Sequence, residues 1–524
     1  MTKRLFLYLL GLVSVAGLLT SCAKDEKFTQ ISSLSFSAAP SSMAPGQTHK
    51  LQVRTFPAGA DEPYTLVFTS SKPAVATVDD LGTITAIQDG QTVITVSLKD
   101  RPEVKAEFTL TVETIRITGV EFVQTPGSLY VGQTTTVSIR ILPENATESG
   151  AVEYVSSQPE VASITQTGYI TALEAGTTVI TVTVKEHPEI KAEFTLAVKP
   201  LYKAPKNTKF QKVAYFPSYR DLTEGSIPDE KLQMVDVACF AFASINDNYT
   251  LSVQEPDKLR ALVARCKAFG VKILLSLNGA HSLYAAMTAS PENRAKFIAS
   301  LKTIVETYDL DGVDNDWEYP KTSDNSHKGN TALMRELSSW LHDPAVNRLL
   351  TMAITPGKYE GVTSNGIEQE CFDYVDWFNV MVYDDFSNDT PGINHSPFEL
   401  LEVSYNYWVV KRSMPKYKFV AGIPVYGRSS GLGKSISMTY ASILAQGGNP
   451  DANQATVTSS SYNNGQTPFV VYYNGRVLVR QKTRYCIDQG LGGVMFWEAG
   501  QDTQDDRSLI KAAYEEVDGY TVLP

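Results

Sequence analysis

The chain has 524 residues, 43% of them hydrophobic and 20% charged. That composition excludes a disordered chain, and the length exceeds one ordinary domain, so two to four are expected. The formal net charge is −11 and no basic run occurs beyond the first few residues, which argues against nucleic acid as a partner.

Residues 1–22 read as a signal peptide, opened by Lys3-Arg4 and continued by an apolar stretch too short for a membrane span. The segment ends Leu19-Thr20-Ser21-Cys22, which resembles a lipobox with Cys22 as the lipidated residue. The acidic pair in Ala23-Lys24-Asp25-Glu26 resembles the export signal of surface-displayed lipoproteins in some Gram-negative bacteria. These resemblances imply an outer-membrane lipoprotein facing the cell surface, held to the membrane through lipid on Cys22. The other cysteines, Cys239, Cys266, Cys371 and Cys486, have neither C-x-x-C spacing nor a nearby His cluster, so no metal site is expected. Cys239 and Cys266 sit in apolar runs and read as buried thiols, although an exported protein leaves a disulfide open.

From residue 31 to 200 the chain repeats itself. Pro57 and Pro143, Gly82 and Gly168, Gly90 and Gly176, and Phe108 and Phe194 all stand 86 residues apart. Lys105-Ala106-Glu107-Phe108-Thr109-Leu110 returns as Lys191-Ala192-Glu193-Phe194-Thr195-Leu196. Both units are rich in Thr and Val with apolar alternation, and turn residues bound the short runs. This predicts two all-β sandwiches, over residues 31–114 and 115–200. They resemble bacterial immunoglobulin-like group 2 domains. Neither contains Trp and their aromatics are few, which favours spacers over sugar-binding modules.

Residues 201–209 read as a linker, and beyond them strands alternate with helices, over residues 210–520. Apolar strand-like runs occupy 213–216, 235–242, 271–276, 310–317, 349–354, 375–383, 419–424 and 493–497. Eight is the number that closes a (β/α)8 barrel. Ser290 followed by Pro291 predicts a helix start, with Phe297, Leu301, Ile304 and Val305 on one face. The polar stretch 431–466 is expected to be an elaborated loop.

At the end of the fourth run and just beyond it, Asp314, Asp316 and Glu318 are spaced i, i+2, i+4. On a strand that period sets three carboxyl groups on one face. Their repulsion should raise at least one pKa and keep a carboxylic acid protonated near neutral pH, as a general acid requires. A calcium loop would instead want a flexible turn with an internal Gly.

The string Asp311-Gly312-Val313-Asp314-Asn315-Asp316-Trp317-Glu318 resembles the glycoside hydrolase family 18 signature D-G-x-D-x-D-W-E at every fixed position. Met381-Val382-Tyr383-Asp384 resembles that family's M-x-Y-D motif, and Gly492-Gly493-Val494-Met495-Phe496-Trp497-Glu498 its last strand. The resemblance implies a TIM barrel with Glu318 as the acid and Asp316 orienting the substrate's acetamido group, helped by Tyr383. By the same resemblance Asp314 holds Asp316 by sharing a proton, and Trp497 forms an apolar floor under the sugar. Met381, Asp384, Tyr215, Tyr426 and Arg428 are the further candidate contacts. One departure stands out: Ser276-Leu277-Asn278-Gly279 occupies the place of the family's S-x-G-G.

The family handles glycans through substrate assistance. The implied activity is retaining hydrolysis of β-1,4-linked N-acetylglucosamine polymers, that is, a chitinase acting on chitin, with no cofactor. An endo-β-N-acetylglucosaminidase cutting the chitobiose core of N-glycans would use the same groups. A non-catalytic carbohydrate-binding barrel would be expected to lack Glu318, which is present.

Overall fold

The computed structural model describes residues 28–519. The signal segment, Cys22 and the acidic pair after it lie outside the described residues. The chain divides into two units, Met1–Lys199 and Pro200–Pro524.

The first unit holds the repeats, and each repeat builds the same three sheets of four, three and two strands. Its central strand, Gly90–Leu98, buries Thr92, Ile94, Val96 and Leu98 in alternation, and Gly176–Val184 does the same with Thr178, Ile180, Val182 and Val184. Alternation of this kind turns one face of a sheet to the core and the other to water. The polar member of each set is satisfied: Thr92 Oγ1 accepts the Lys72 N–H, and Thr178 Oγ1 accepts the Gln158 N–H, both at 2.9 Å. Phe108 and Phe194 also repeat structurally, meeting Phe36 and Phe122 edge-on at 5.1 and 4.9 Å. Among the tyrosines, Tyr154 is buried, while Tyr64 and Tyr169 remain exposed.

In the second unit eight parallel strands close on themselves. They are β1 (Gln211–Pro217), β2 (Val237–Ile245), β3 (Lys272–Asn278), β4 (Gly312–Asn315), β5 (Leu349–Ile354), β6 (Trp377–Val380), β7 (Phe419–Pro424) and β8 (Gly493–Trp497). Each pairs with the next, and β8 returns to β1. Strands buried on both faces by helices outside and side chains inside read as continuous apolar runs, which is why all eight were visible in the sequence.

Gly312, the first residue of β4, has a steric role. A Cβ on Gly312 would stand 2.3 Å from the Leu349 carbonyl oxygen, so only glycine lets β4 lie this close to β5. Asp311 beside it accepts the Ile273 N–H at 2.9 Å and so ties β4 to β3.

Helix α1 (His281–Ala289) follows β3, and α2 (Pro291–Thr307) begins where predicted, with Ser290 Oγ accepting the Asn293 N–H at 3.4 Å. Phe297, Leu301 and Val305 are fully buried along its inner face. The stretch 431–466 differs from its expectation. It contributes strand Ser437–Thr439, helix Tyr440–Ala445 and strand Gln454–Val457 to a four-stranded antiparallel sheet with Tyr426–Ser429 and Phe469–Tyr472. Its strands are short and largely polar on one face, so they carry too weak an apolar signal to be read without their partners.

Candidate active site

The C-terminal strand ends of the barrel surround a cavity of about 230 Å³. That is below the range typical of pockets enclosing a whole drug-sized ligand, and suits one sugar ring. Asp316, Glu318, Met381, Tyr383, Asp384, Tyr215, Tyr426 and Trp497 all line it. Arg428 does not, and acts through Asp384 as described below.

The acidic row climbs the barrel axis. Asp314 lies on β4 and is wholly buried; Asp316 and Glu318 lie past the strand's end at Asn315. Asp316 is also buried, and its backbone N–H donates to the Leu277 carbonyl at 3.0 Å, prolonging the β3–β4 pairing beyond the regular strand. Glu318 emerges at the mouth with its side chain open to solvent on one side.

Asp314 is held by four donors from four different strands. One oxygen accepts the Thr351 hydroxyl at 2.6 Å and the Asn379 amide at 3.1 Å. The other accepts the Tyr215 phenol at 2.8 Å and the Ser276 hydroxyl at 2.7 Å. Burial raises its pKa, and these hydrogen bonds pull back against that rise without cancelling it. A carboxylate offers about four acceptor positions, and these four donors occupy them. Asp316 is pushed well above the usual carboxylate range by burial first, then by repulsion from Glu318, and only third by Asp314. Glu318 is raised by loss of water at the cavity wall, opposed by a hydrogen bond with Tyr319 and reinforced by the charge of Asp384.

Asp384 is a different kind of carboxylate. Its backbone is left-handed, with φ 63°. Its Oδ1 accepts the Tyr426 phenol at 2.6 Å and Arg428 Nε at 2.5 Å, while Oδ2 accepts Arg428 at 2.8 Å. Burial alone would raise its pKa, but His395, Arg428 and Tyr426 outweigh that and hold it far below the usual carboxylate range. Tyr426 and Arg428 thus fix a permanent charge beside Glu318. His395, fully buried, accepts the Asp384 N–H at Nδ1 (3.4 Å), while Nε2 faces the Tyr426 carbonyl at 3.2 Å.

Trp497 meets Tyr215 edge-on at 5.2 Å and lies nearly parallel to Phe242 at 6.0 Å, making an aromatic wall opposite the acids. The Tyr383 phenol has no hydrogen-bond partner among the described residues and lines the cavity. Trp317, between the two upper acids, faces away from the cavity and is fully buried. Its ring lies against Tyr284 at 5.1 Å, and its indole N–H donates to His281 Nδ1 at 3.3 Å. His281 in turn faces Asp324 through Nε2 at 2.7 Å, so the segment bearing Glu318 is clamped from behind.

Several of these residues escaped the sequence reading: Ser276, Thr351, Asn379, His281, His395, Phe242 and Tyr319. Asn379 had a signal, since it precedes Met381 by two residues and so shares its face of a strand. Ser276 lay in the altered S-x-G-G segment. The histidines had none, because each reaches its partner from a loop or helix start. The four described non-terminal cysteines are buried free thiols. Among the described residues no group of three or more His, Cys, Asp or Glu is arranged to hold a metal ion.

The family model of Glycosyl hydrolases family 18 matches residues 211–502, more than half of the chain. The chain belongs to glycosyl hydrolases family 18. Its first unit carries two matches to the Bacterial Ig-like domain (group 2), at residues 30–108 and 116–194. Among curated relatives, endochitinase 1 of Metarhizium robertsii is 27% identical over 288 residues, covering 48% of this chain and 66% of the fungal protein. The class V chitinase CHIT5 of Lotus japonicus is 25% identical over 339 residues, covering 56% of this chain and 82% of the plant protein. The chain spans just under two thirds of the fungal relative's own length. Of solved structures, a class V chitinase mutant of Cycas revoluta in complex with (GlcNAc)3 superposes with TM-score 0.50 at 21% identity, covering 59% of this chain and 99% of the other, a likeness of fold. These two curated relatives and this solved structure are all named chitinases.

Proposed function

We propose that this family 18 enzyme hydrolyses β-1,4-linked N-acetylglucosamine polymers, with retention and with the substrate's own acetamido group as nucleophile. The observation that carries the reading is the placement of Glu318, Asp316, Tyr383 and Trp497 around one cavity of single-sugar size. Glu318, raised in pKa, protonates the glycosidic oxygen as the acetamido carbonyl attacks the anomeric carbon. Asp316 accepts a hydrogen bond from the acetamido N–H, which orients the carbonyl for attack, and the same hydrogen bond stabilises the oxazolinium as positive charge builds on that nitrogen. The free Tyr383 phenol supports the acetamido oxygen. Glu318, now a carboxylate, takes a proton from the incoming water and is restored. Asp314, held by its four donors, anchors the foot of the row, and Trp497 offers its face to the sugar's C–H groups.

Chitin oligomers and the chitobiose core of a high-mannose glycoprotein present the same acetamido group, so assay of both substrates side by side tests the specificity. Turnover of the oligomers with the glycoprotein left intact supports the chitinase reading, and the reverse outcome replaces it with an endo-β-N-acetylglucosaminidase. The same proposal places the protein at the bacterial surface, anchored by lipid on Cys22. Cys22→Ala should move it from the membrane to the soluble fraction with unchanged specific activity, and a variant that stays with the membrane rejects the anchor.

A further inference from the structure

The family pattern S-x-G-G is broken here by Asn278, and the structure shows what the change does. The second glycine position is sterically fixed: a Cβ on Gly279 would stand 2.4 Å from Ile245 Cγ2. The first is not. Asn278 ends β3, in register with Ser244 of β2, and takes no left-handed backbone angle. It is half-buried, and it lines the cavity together with Asp316 and Glu318. The preceding residue, Leu277, accepts the Asp316 N–H, so Asn278 is locked at a set height beside the acid row. Its carboxamide makes no hydrogen bond to any of the described residues.

A partly desolvated amide with no internal partner is costly unless something else meets it. In a cavity built for a neutral sugar, the partner chemistry is a hydroxyl or amide on that sugar, since a carboxamide both donates and accepts. A glycine at this position could offer neither contact and would leave the wall open. We propose that Asn278 is a specificity-determining residue of this enzyme, hydrogen-bonding a polar substituent of the N-acetylated sugar in the cavity. The inference rests on the reading of that cavity as the glycan site. It assigns Asn278 to ground-state binding, because nothing places its amide on an atom whose charge changes in the reaction.

The test is a calorimetric titration of the N-acetylglucosamine tetramer into Glu318→Gln, and into the same protein carrying Asn278→Ala or Asn278→Gly. Glycine is the residue expected of the family here, so the second variant guards against a folding artefact. Both should weaken Kd by about tenfold, the usual scale for one hydrogen bond to a buried polar group. In otherwise wild-type protein both should raise KM by a similar factor, with kcat within about twofold and the melting temperature unchanged. Affinity within about twofold of the Glu318→Gln parent, a loss confined to kcat, or no tetramer binding by the parent overturns the proposal. Failure of the catalytic reading would appear elsewhere, as wild-type turnover by Glu318→Gln itself.

Discussion

Tyr215, on the first barrel strand, donates its phenolic hydrogen to Asp314 on the fourth across 2.8 Å of barrel interior. Both side chains are buried, so this hydrogen bond cannot be replaced by bulk water. Tyr215→Phe leaves the packing against Trp497 and removes one of the four donors that stabilise the carboxylate. A hydrogen bond to a charged group contributes roughly 1.5–3 kcal/mol. The variant should lose stability by about that amount at neutral pH, measured by urea unfolding, and kcat should fall by about tenfold as the base of the acid row is loosened. Unchanged stability would contradict a stabilising role for this hydrogen bond.

Asp316 links pH to stability through a pKa raised by burial and by Glu318. The direction follows from proton counting. Below the ordinary carboxylate range, about 4, the group is protonated both folded and unfolded. Between that value and its raised folded value, the folded state keeps a proton that the unfolded state has released, so stability falls as pH rises. Asp316→Asn removes this dependence. Its melting temperature should exceed that of the wild type by an amount that grows from pH 4 towards neutrality, while kcat drops by about a hundredfold or more. A constant offset across that range would show that Asp316 is not held protonated.

The charge of Asp384 bears on Glu318, and both line the same cavity. Asp384→Asn keeps the shape and tolerates the left-handed backbone, since Asn occupies that region more readily than most residues. The substitution removes a neighbouring negative charge and leaves Arg428 unneutralised, and both changes favour ionised Glu318. The alkaline limb of the kcat/KM profile should therefore move to lower pH by about half a unit or more. A shift to higher pH, or none, would contradict the assignment of Glu318 as the acid.

Much of this site was legible in the sequence because Asp314, Asp316 and Glu318 follow one another within five residues, although only Asp314 lies on the regular strand. The motifs at Tyr383 and Trp497 marked the ends of two further strands. What stayed hidden was the support of those groups. Asp314 draws its donors from residues 215, 276, 351 and 379, four strands that touch only after the barrel closes. Residues 431–466 show a second limit. Short strands that pair with 426–429 and 469–472 carry little period of their own, so a sheet was read as a loop.

In the proposed mechanism Glu318 serves as acid in the first step and base in the second. Glu318→Gln is isosteric and should bind the N-acetylglucosamine tetramer with near wild-type affinity. The decisive measurement is kcat for that tetramer in the variant and the wild type at neutral pH. Because one residue serves both steps, kcat should fall by at least about a thousandfold. A kcat within tenfold of wild type would require the proton to come from another group.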